Sequence, residues 1–199
     1  MGFTGGNANP LESITSVKVN GEFAAIVGAR LWQGNIVLDP GTTNEAHIDW
    51  VSYSMTGQYD VTPVSNVIKI QDREGGPITG LHGMYGNVVV LKNQSIKTIN
   101  FKNNPDTPSA WFVQESKHNI GCIAKQGSIV WNDTLYTCWY DGIYKLSLNN
   151  MSPSDQTPTE MLRMSEPIND KYMALSLANK KRIKLAIDQY KNELIIVGL

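Results

Sequence analysis

Hydrophobic residues in this chain come in short runs, parted by pairs of Gly, Asn, Asp or Gln, with no sustained helical period between them. The stretch "ITGLHGMYGNVVVLKNQSIKTINF", residues 78–101, sets the pattern. Ile78 to Leu81, Val88 to Leu91 and Ile96 to Phe101 read as strands, with turns expected at Gly86-Asn87 and Asn93-Gln94. Three further stretches follow the same layout. "FAAIVGARLWQGNIVL" is expected to turn at Gln33-Gly34, "GSIVWNDTLYTCWYDGIYKLSL" at Asn132-Asp133 and Asp141-Gly142, and "RIKLAIDQYKNELIIVGL" at Lys191-Asn192. Gly, Asn and Asp tolerate the positive φ that tight hairpins require, and the flanking residues are β-branched or aromatic.

These units recur at irregular intervals of about 45–60 residues, close to the period of propeller blades with long loops. Between them lie "DPGTTNEAHID", "KNNPDTPSA" and "NNMSPSDQTPTE", whose Pro, Asn, Thr and Ser mark surface loops. Only "NDKYMALSLANKKR" allows a helix, a short one, with Tyr172, Leu175 and Leu177 on one side. The expected class is therefore all-β: antiparallel hairpin blades of a β-propeller or part of one, with at most one short helix near the C-terminus. Residues 1–22 read as an N-terminal extension or the start of the first blade, and residues 23–199 as the propeller domain or a segment of one. A closed propeller needs at least ~4 blades, whereas the pattern yields roughly three and a final hairpin. The expectation is a segment of a longer polypeptide. The alternative is a ring completed by the N-terminal residues.

Composition narrows the function. A chain of 199 residues is long enough to bury a core without a metal or disulfide staple. Lys and Arg number 17 against 18 Asp and Glu, for a net charge of -1, so sequence-specific nucleic-acid binding through a basic face is not expected. Lys180-Lys181-Arg182 with Lys184 reads as a solvated hairpin edge. Cys122 and Cys138 lie in apolar strand contexts and read as buried free thiols, with a disulfide left open. No zinc-ligand spacing is present. The first residues lack a signal-peptide pattern and no apolar run reaches membrane-spanning length, so a protein without a membrane anchor is expected. The sequons at Asn93, Asn132 and Asn150 read as turn chemistry.

Catalytic patterns are missing: the sequence has no GxSxG, HExxH or GxxxxGK[ST] motif. The carboxylate pairs Glu45/Asp49 and Asp72/Glu74 fall in polar loops and read as solvated turns. His47, His82 and His118 are scattered, and "DREGGP" lacks the Lys and helix of a phosphate loop. No enzymatic activity, cofactor or metal is expected. The tryptophans suit core packing, although Trp50 and Trp111, each beside a long loop, are candidates for stacking on sugars.

One resemblance sharpens this reading. "GARLWQGNIVLDPG", "VIKIQDREGGPITGL", "VVVLKNQSIKTI", "WFVQESKHNIGCIAKQGSIVWNDTLYTCWYDGIYKL" and "MSEPI" follow in order. The series resembles the β-propeller module in tail proteins of tailed bacteriophages, of the tail nozzle, hub or DNA-stabilisation type. It covers about residues 24–199 and rests on Arg30-Leu31-Trp32, Asp39-Pro40-Gly41, Ile78-Thr79-Gly80-Leu81, Gly121-Cys122, Leu135-Tyr136, Asp141-Gly142-Ile143-Tyr144 and Ser165-Glu166-Pro167-Ile168. None of these positions is catalytic in the family. The resemblance implies a structural virion protein, made in the cytoplasm of the bacterial host. Its copies would form a ring around the DNA exit channel and contact other tail or head-to-tail connector proteins during DNA ejection. The alternative from another class is a propeller domain that binds host-surface carbohydrate through Trp50 and Trp111.

Overall fold

The computed structural model describes residues 16–39, 45–71, 76–116, 118–148 and 158–198. Pro40, Gly41, Asp72, Glu74 and Asn150 lie outside these, as does the Asp39 side chain. The described chain is all-β in class, with its strands in four antiparallel sheets.

The first sheet runs β1 (Lys18–Val27), β2 (Arg30–Asp39), β3 (Glu45–Tyr53) and β4 (Val67–Lys69), each strand pairing with the next. Residues 18–22 thus belong to this sheet. Exposure along β1 alternates residue by residue, as a strand with one inward face requires. The chain reverses at Gly28-Ala29, both with positive φ (57° and 54°). A Cβ on Gly28 would stand 2.5 Å from the Phe101 ring, so the turn needs glycine for space as well as for φ. The expected turn at Gln33-Gly34 does not form. β2 continues through it, and the register against β3 shifts between Gly34 and Ile36, where Asn35 has a φ of 53°. Gly and Asn mark a positive-φ position there, and the chain uses it for a bulge instead of a reversal.

The second sheet runs β5 (Ile78–Met84), β6 (Asn87–Lys92), β7 (Ile96–Asn100) and β8 (Phe112–Glu115). Its first turn is Tyr85-Gly86, one residue earlier than expected. Asn87 instead opens β6, where its side-chain oxygen accepts from the N–H groups of Phe101 (3.2 Å) and Lys102 (3.1 Å). The third sheet contains β9 (Ser128–Trp131), β10 (Thr134–Cys138), β11 (Ile143–Leu148) and β12 (Pro158–Arg163), in sequence order. Its Asn132-Asp133 turn is as expected, with φ of 46° and 52°. A hairpin of β13 (Lys184–Asp188) and β14 (Glu193–Val197) ends the series. Three four-stranded sheets and a hairpin match the number of units read from the sequence, but β3, β4, β8 and β12 are additional strands. Residues 45–49 and 158–160, expected in surface loops, belong to β3 and β12.

The core lies between consecutive sheets. Val88 and Val90 of β6 join Trp32, Val51 and Tyr53 of the first sheet, while Val89 and Leu91 join Leu135, Tyr144 and Leu146 of the third. Period-two alternation therefore serves two cores, one on each face of the middle sheet. A third cluster joins Tyr136, Cys138 and Ile143 to Ile183, Leu185 and Tyr172. The sheets also touch through their first strands: β5 contacts β1, β9 contacts β5, and β13 contacts β9.

The helical stretch divides into α1 (Asn169–Ala174) and α2 (Leu177–Lys180). Ser176 caps α2 by accepting from the Asn179 N–H at 3.2 Å. Tyr172 is buried and Leu175 packs against the third cluster, but Leu177 faces outward.

Candidate functional site

Arg30 and Trp32 stand two residues apart on β2 and so face the same side of the first sheet. Trp32 is fully buried among Tyr53, Phe101 and Trp111, with ring centroids 5.2, 5.0 and 5.6 Å away. Its indole N–H donates to the Val27 carbonyl at 3.0 Å. Arg30 donates to the Ser54 carbonyl (2.9 Å) and to the Pro105 carbonyl (3.3 Å), with its guanidinium 5.4 Å from the Trp111 ring centre and 5.8 Å from that of Tyr53. Burial pushes the Tyr53 phenol up, and the nearby Arg30 charge offsets part of that rise. Leu31 exchanges hydrogen bonds with Ser54: its N–H donates to the Ser54 hydroxyl, and its carbonyl accepts from the Ser54 N–H. The cation is held by carbonyls and aromatic faces. This is a fastener between the first sheet and the loop before β8.

The other family-motif residues mark close approaches. A Cβ on Gly80 would stand 2.7 Å from the Ser128 hydroxyl, and the adjacent His82 Nε2 lies 2.8 Å from that same oxygen. Burial lowers the His82 pKa to about 4, leaving a neutral ring between β5 and β9. Thr79 and Leu81 are buried beside them. At Gly121 a Cβ would come within 2.0 Å of the Lys92 carbonyl oxygen, so the end of β6 and the segment leading into β9 meet backbone to backbone. Tyr136 is buried in the third cluster. Tyr144 donates to an Asp141 carboxylate oxygen at 2.8 Å, and burial first, then that bond, pushes its phenol up to about 12. Gly142 leaves room for Ser165, whose hydroxyl accepts from the Ile143 N–H at 3.1 Å. Arg163 donates to the Asp141 carbonyl and to the Asn169 side chain. Pro167 is exposed in the turn before α1. Among the described motif residues, Arg30, Trp32, Gly80 and Tyr144 lie where sheets meet. Asp141, Gly142, Ser165 and Pro167 instead lie at the turn between β10 and β11 and just after β12, and the motif residues do not converge on one pocket.

The candidate sugar-stacking rings already have partners. Trp50 stacks on His47, centroids 3.6 Å apart and planes within 5°, and the Lys69 ammonium lies 4.6 Å from its centre. Trp111 belongs to the Arg30 fastener and donates to the Asn104 carbonyl at 2.6 Å. His47 also approaches Glu45 at 3.5 Å. Cys122 and Cys138 are buried free thiols, the expected state. Burial pushes the Cys138 thiol up to about 12 and raises that of Cys122. No group of three or more His, Cys, Asp or Glu among the described residues could hold a metal ion. No described helix is long and apolar enough to cross a membrane.

Two features were not legible in the sequence. The basic run is not a uniform solvated edge, because Lys180 is buried, donates to the Tyr140 carbonyl at 2.8 Å and lies over the Tyr172 ring. Its neighbours Lys181, Arg182 and Lys184 instead line an open cavity of about 610 Å³, together with Glu22 and Phe23 of β1 and Lys125 before β9. These residues come from three separate parts of the chain, so no local motif announces the cavity.

No protein-family model matches the chain, and no curated protein matches it.

Proposed function

We propose that this chain is a structural β-propeller component of a bacteriophage tail, whose copies assemble as a ring around the channel through which DNA leaves the particle. The observation that supports it is the serial stacking of four-stranded antiparallel meanders, first strand against first strand, with Arg30, Gly80 and Tyr144 of the resemblance at the seams. Consecutive blades around a propeller axis have this relation. The role is mechanical and assigns no catalytic step. A stiff stack of sheets suits a channel wall, and its outer strands offer the docking surface. Phe112 and Val113 on β8, with Met161 and Leu162 on β12, are exposed apolar residues on the last strands of their sheets. Trp50 and Trp111 have ring and cation partners within the chain, and so the carbohydrate reading is not the one adopted.

The test is native mass, by light scattering after size-exclusion chromatography, of the wild type and of a Phe112→Lys/Leu162→Lys variant. A defined oligomer that the variant loses, with its circular dichroism unchanged, is the expected result. A wild-type monomer at every concentration would overturn the ring. Replacing "KNNPDTPSA" by a Gly-Ser turn is a poorer probe, because that loop supplies the Pro105 and Asn104 carbonyls that Arg30 and Trp111 use.

A further inference from the structure

The cavity bounded by β1, the turn before β9 and the approach to β13 has a charge pattern that asks for a ligand. Of its charged residues, Glu22 is paired with Lys125 and also accepts from Asn35. Lys181, Arg182 and Lys184 have no ion-pair partner among the described residues, and all three are exposed to the cavity solvent. Three like charges within four residues repel one another, and a concave wall focuses their field. The backbone holds them in place: Lys184 bridges Gln126, and the Leu185 N–H donates to the Gln126 carbonyl at 3.0 Å. The wall is therefore fixed against the third sheet and does not depend on the lysines' own flexibility. The volume, about 610 Å³, lies in the range of small-molecule sites.

We propose that this cavity binds a small molecule carrying two or more phosphate groups, of the nucleoside di- or triphosphate class. Arg182 offers the planar fork that matches phosphate oxygens, and Lys181 and Lys184 offer point charges on either side of it in sequence. Phe23, only partly buried, gives the same cavity an apolar wall, which a base or other flat group would cover. Lys125 offsets the charge of Glu22, which also accepts from the Asn35 amide, and the site stays cationic. The site goes beyond the proposed tail role and does not depend on it, since it is built within one copy of the chain.

Calorimetric titration of the full chain with ATP, and separately with inorganic tripolyphosphate, tests the proposal. The variants are Arg182→Glu/Lys184→Glu and a control, Lys171→Glu/Lys191→Glu, which reverses the same number of exposed charges elsewhere. Saturable binding of about one equivalent is expected, weakened about tenfold or more by the cavity pair and less than about twofold by the control. Phe23→Leu keeps an apolar residue against the first core and should weaken ATP more than tripolyphosphate. Thermal unfolding of each free variant shows whether it is folded. Equal weakening by both charge reversals would reduce the effect to diffuse attraction of polyanions and overturn the site. So would the lack of saturation by either ligand up to about 5 mM, the weak end of specific affinities. Tripolyphosphate binding as tight as ATP, unmoved by Phe23→Leu, would overturn the nucleoside assignment.

Discussion

The guanidinium of Arg30 lies 5.4 Å from the centre of the Trp111 ring, so a residue of the first sheet is clasped by the loop that leads into the last strand of the second. The clasp includes Trp32, Tyr53 and Phe101, and it closes the first core at one end. Arg30→Lys is the informative change. Lysine keeps the charge but loses the planar fork that serves the Ser54 and Pro105 carbonyls at once. A loss of about 1–3 kcal/mol is expected in urea unfolding, from carbonyls left without a donor and lost stacking. Trp111→Ala should cost about 2–4 kcal/mol, less than a fully buried tryptophan, because the ring is only half-buried. The two losses share contacts, so the double variant should lose less than their sum. Strict additivity would mean that Arg30 and Trp111 are not coupled.

Gly121 and Gly57 make a matched pair for separating space from backbone conformation. A Cβ at Gly121 would lie 2.0 Å from the Lys92 carbonyl oxygen and 2.6 Å from the Asn93 carbonyl carbon. Both are backbone atoms in a bend between two buried strands and cannot rotate away. Gly121→Ala should cost about 3 kcal/mol or more, or prevent folding. At Gly57 nothing lies within 4 Å, but φ is +72°, so Gly57→Ala should cost only about 1 kcal/mol. Thermal unfolding of the two variants side by side decides it. Similar melting points would mean that the end of β6 and the segment before β9 approach less closely than this.

Much of the fold was legible because strand alternation and turn chemistry are local. Val88 to Leu91 read as a strand, and their burial on both faces follows from a continuous apolar run. Asn132-Asp133 turned where expected because two adjacent residues tolerate positive φ. The same chemistry misled at Gln33-Gly34, since Gly and Asn show that φ is positive but not whether the chain reverses. Buried lysines were hidden for another reason. Lys92, Lys97 and Lys180 send their ammonium groups to carbonyls of Ile70, Gln71 and Tyr140, which are far from them in sequence. The cavity shares that cause. Glu22, Lys125 and Lys181 are each ordinary on their own, and only the packing of first strand on first strand brings them to one place.

His82 makes stability depend on pH. Its folded pKa is lowered to about 4 by burial, against an ordinary value of 6.5. The unfolded chain therefore binds a proton on this ring at pH values where the folded chain does not. Stability from the neutral ring is fully present above about pH 6.5, falls as pH drops towards about 4, and changes no further below that. The residue is partly exposed, so the loss should be on the order of 2 kcal/mol, less than the full shift implies. His82→Gln keeps a polar group near the Ser128 hydroxyl and removes the titration. Carboxylates titrate in both proteins, so the quantity to compare is the wild-type loss between about pH 7.5 and pH 4.5 minus that of the variant, from urea unfolding. A difference of zero would mean that the imidazole is solvated in the folded state.

The two thiols report on the cores on either side of β10, Cys122 on the second cluster and Cys138 on the third. Cys138 lies 3.6 Å from the Tyr172 hydroxyl, which itself donates to the Trp139 carbonyl, and its pKa is pushed up to about 12 chiefly by burial. Cys122 is raised for the same reason, and its sulfur donates to the Ala124 carbonyl at 3.1 Å. Only thiolate attacks an alkylating reagent, so at about pH 8 neither should react in the native protein. Both should label readily in guanidinium. Tyr172→Phe removes the hydroxyl that bonds Cys138 and Trp139 but keeps the ring in the third cluster. Its native labelling should rise through opening of that cluster, and rise more at Cys138 than at Cys122, because of the two thiols the lost hydroxyl bonds only Cys138. Mass spectrometry of the alkylated peptides separates the two sites. Equal acceleration would mean that the cores on either side of β10 open together, and fast labelling of the native wild type would mean that Cys138 is not enclosed at all.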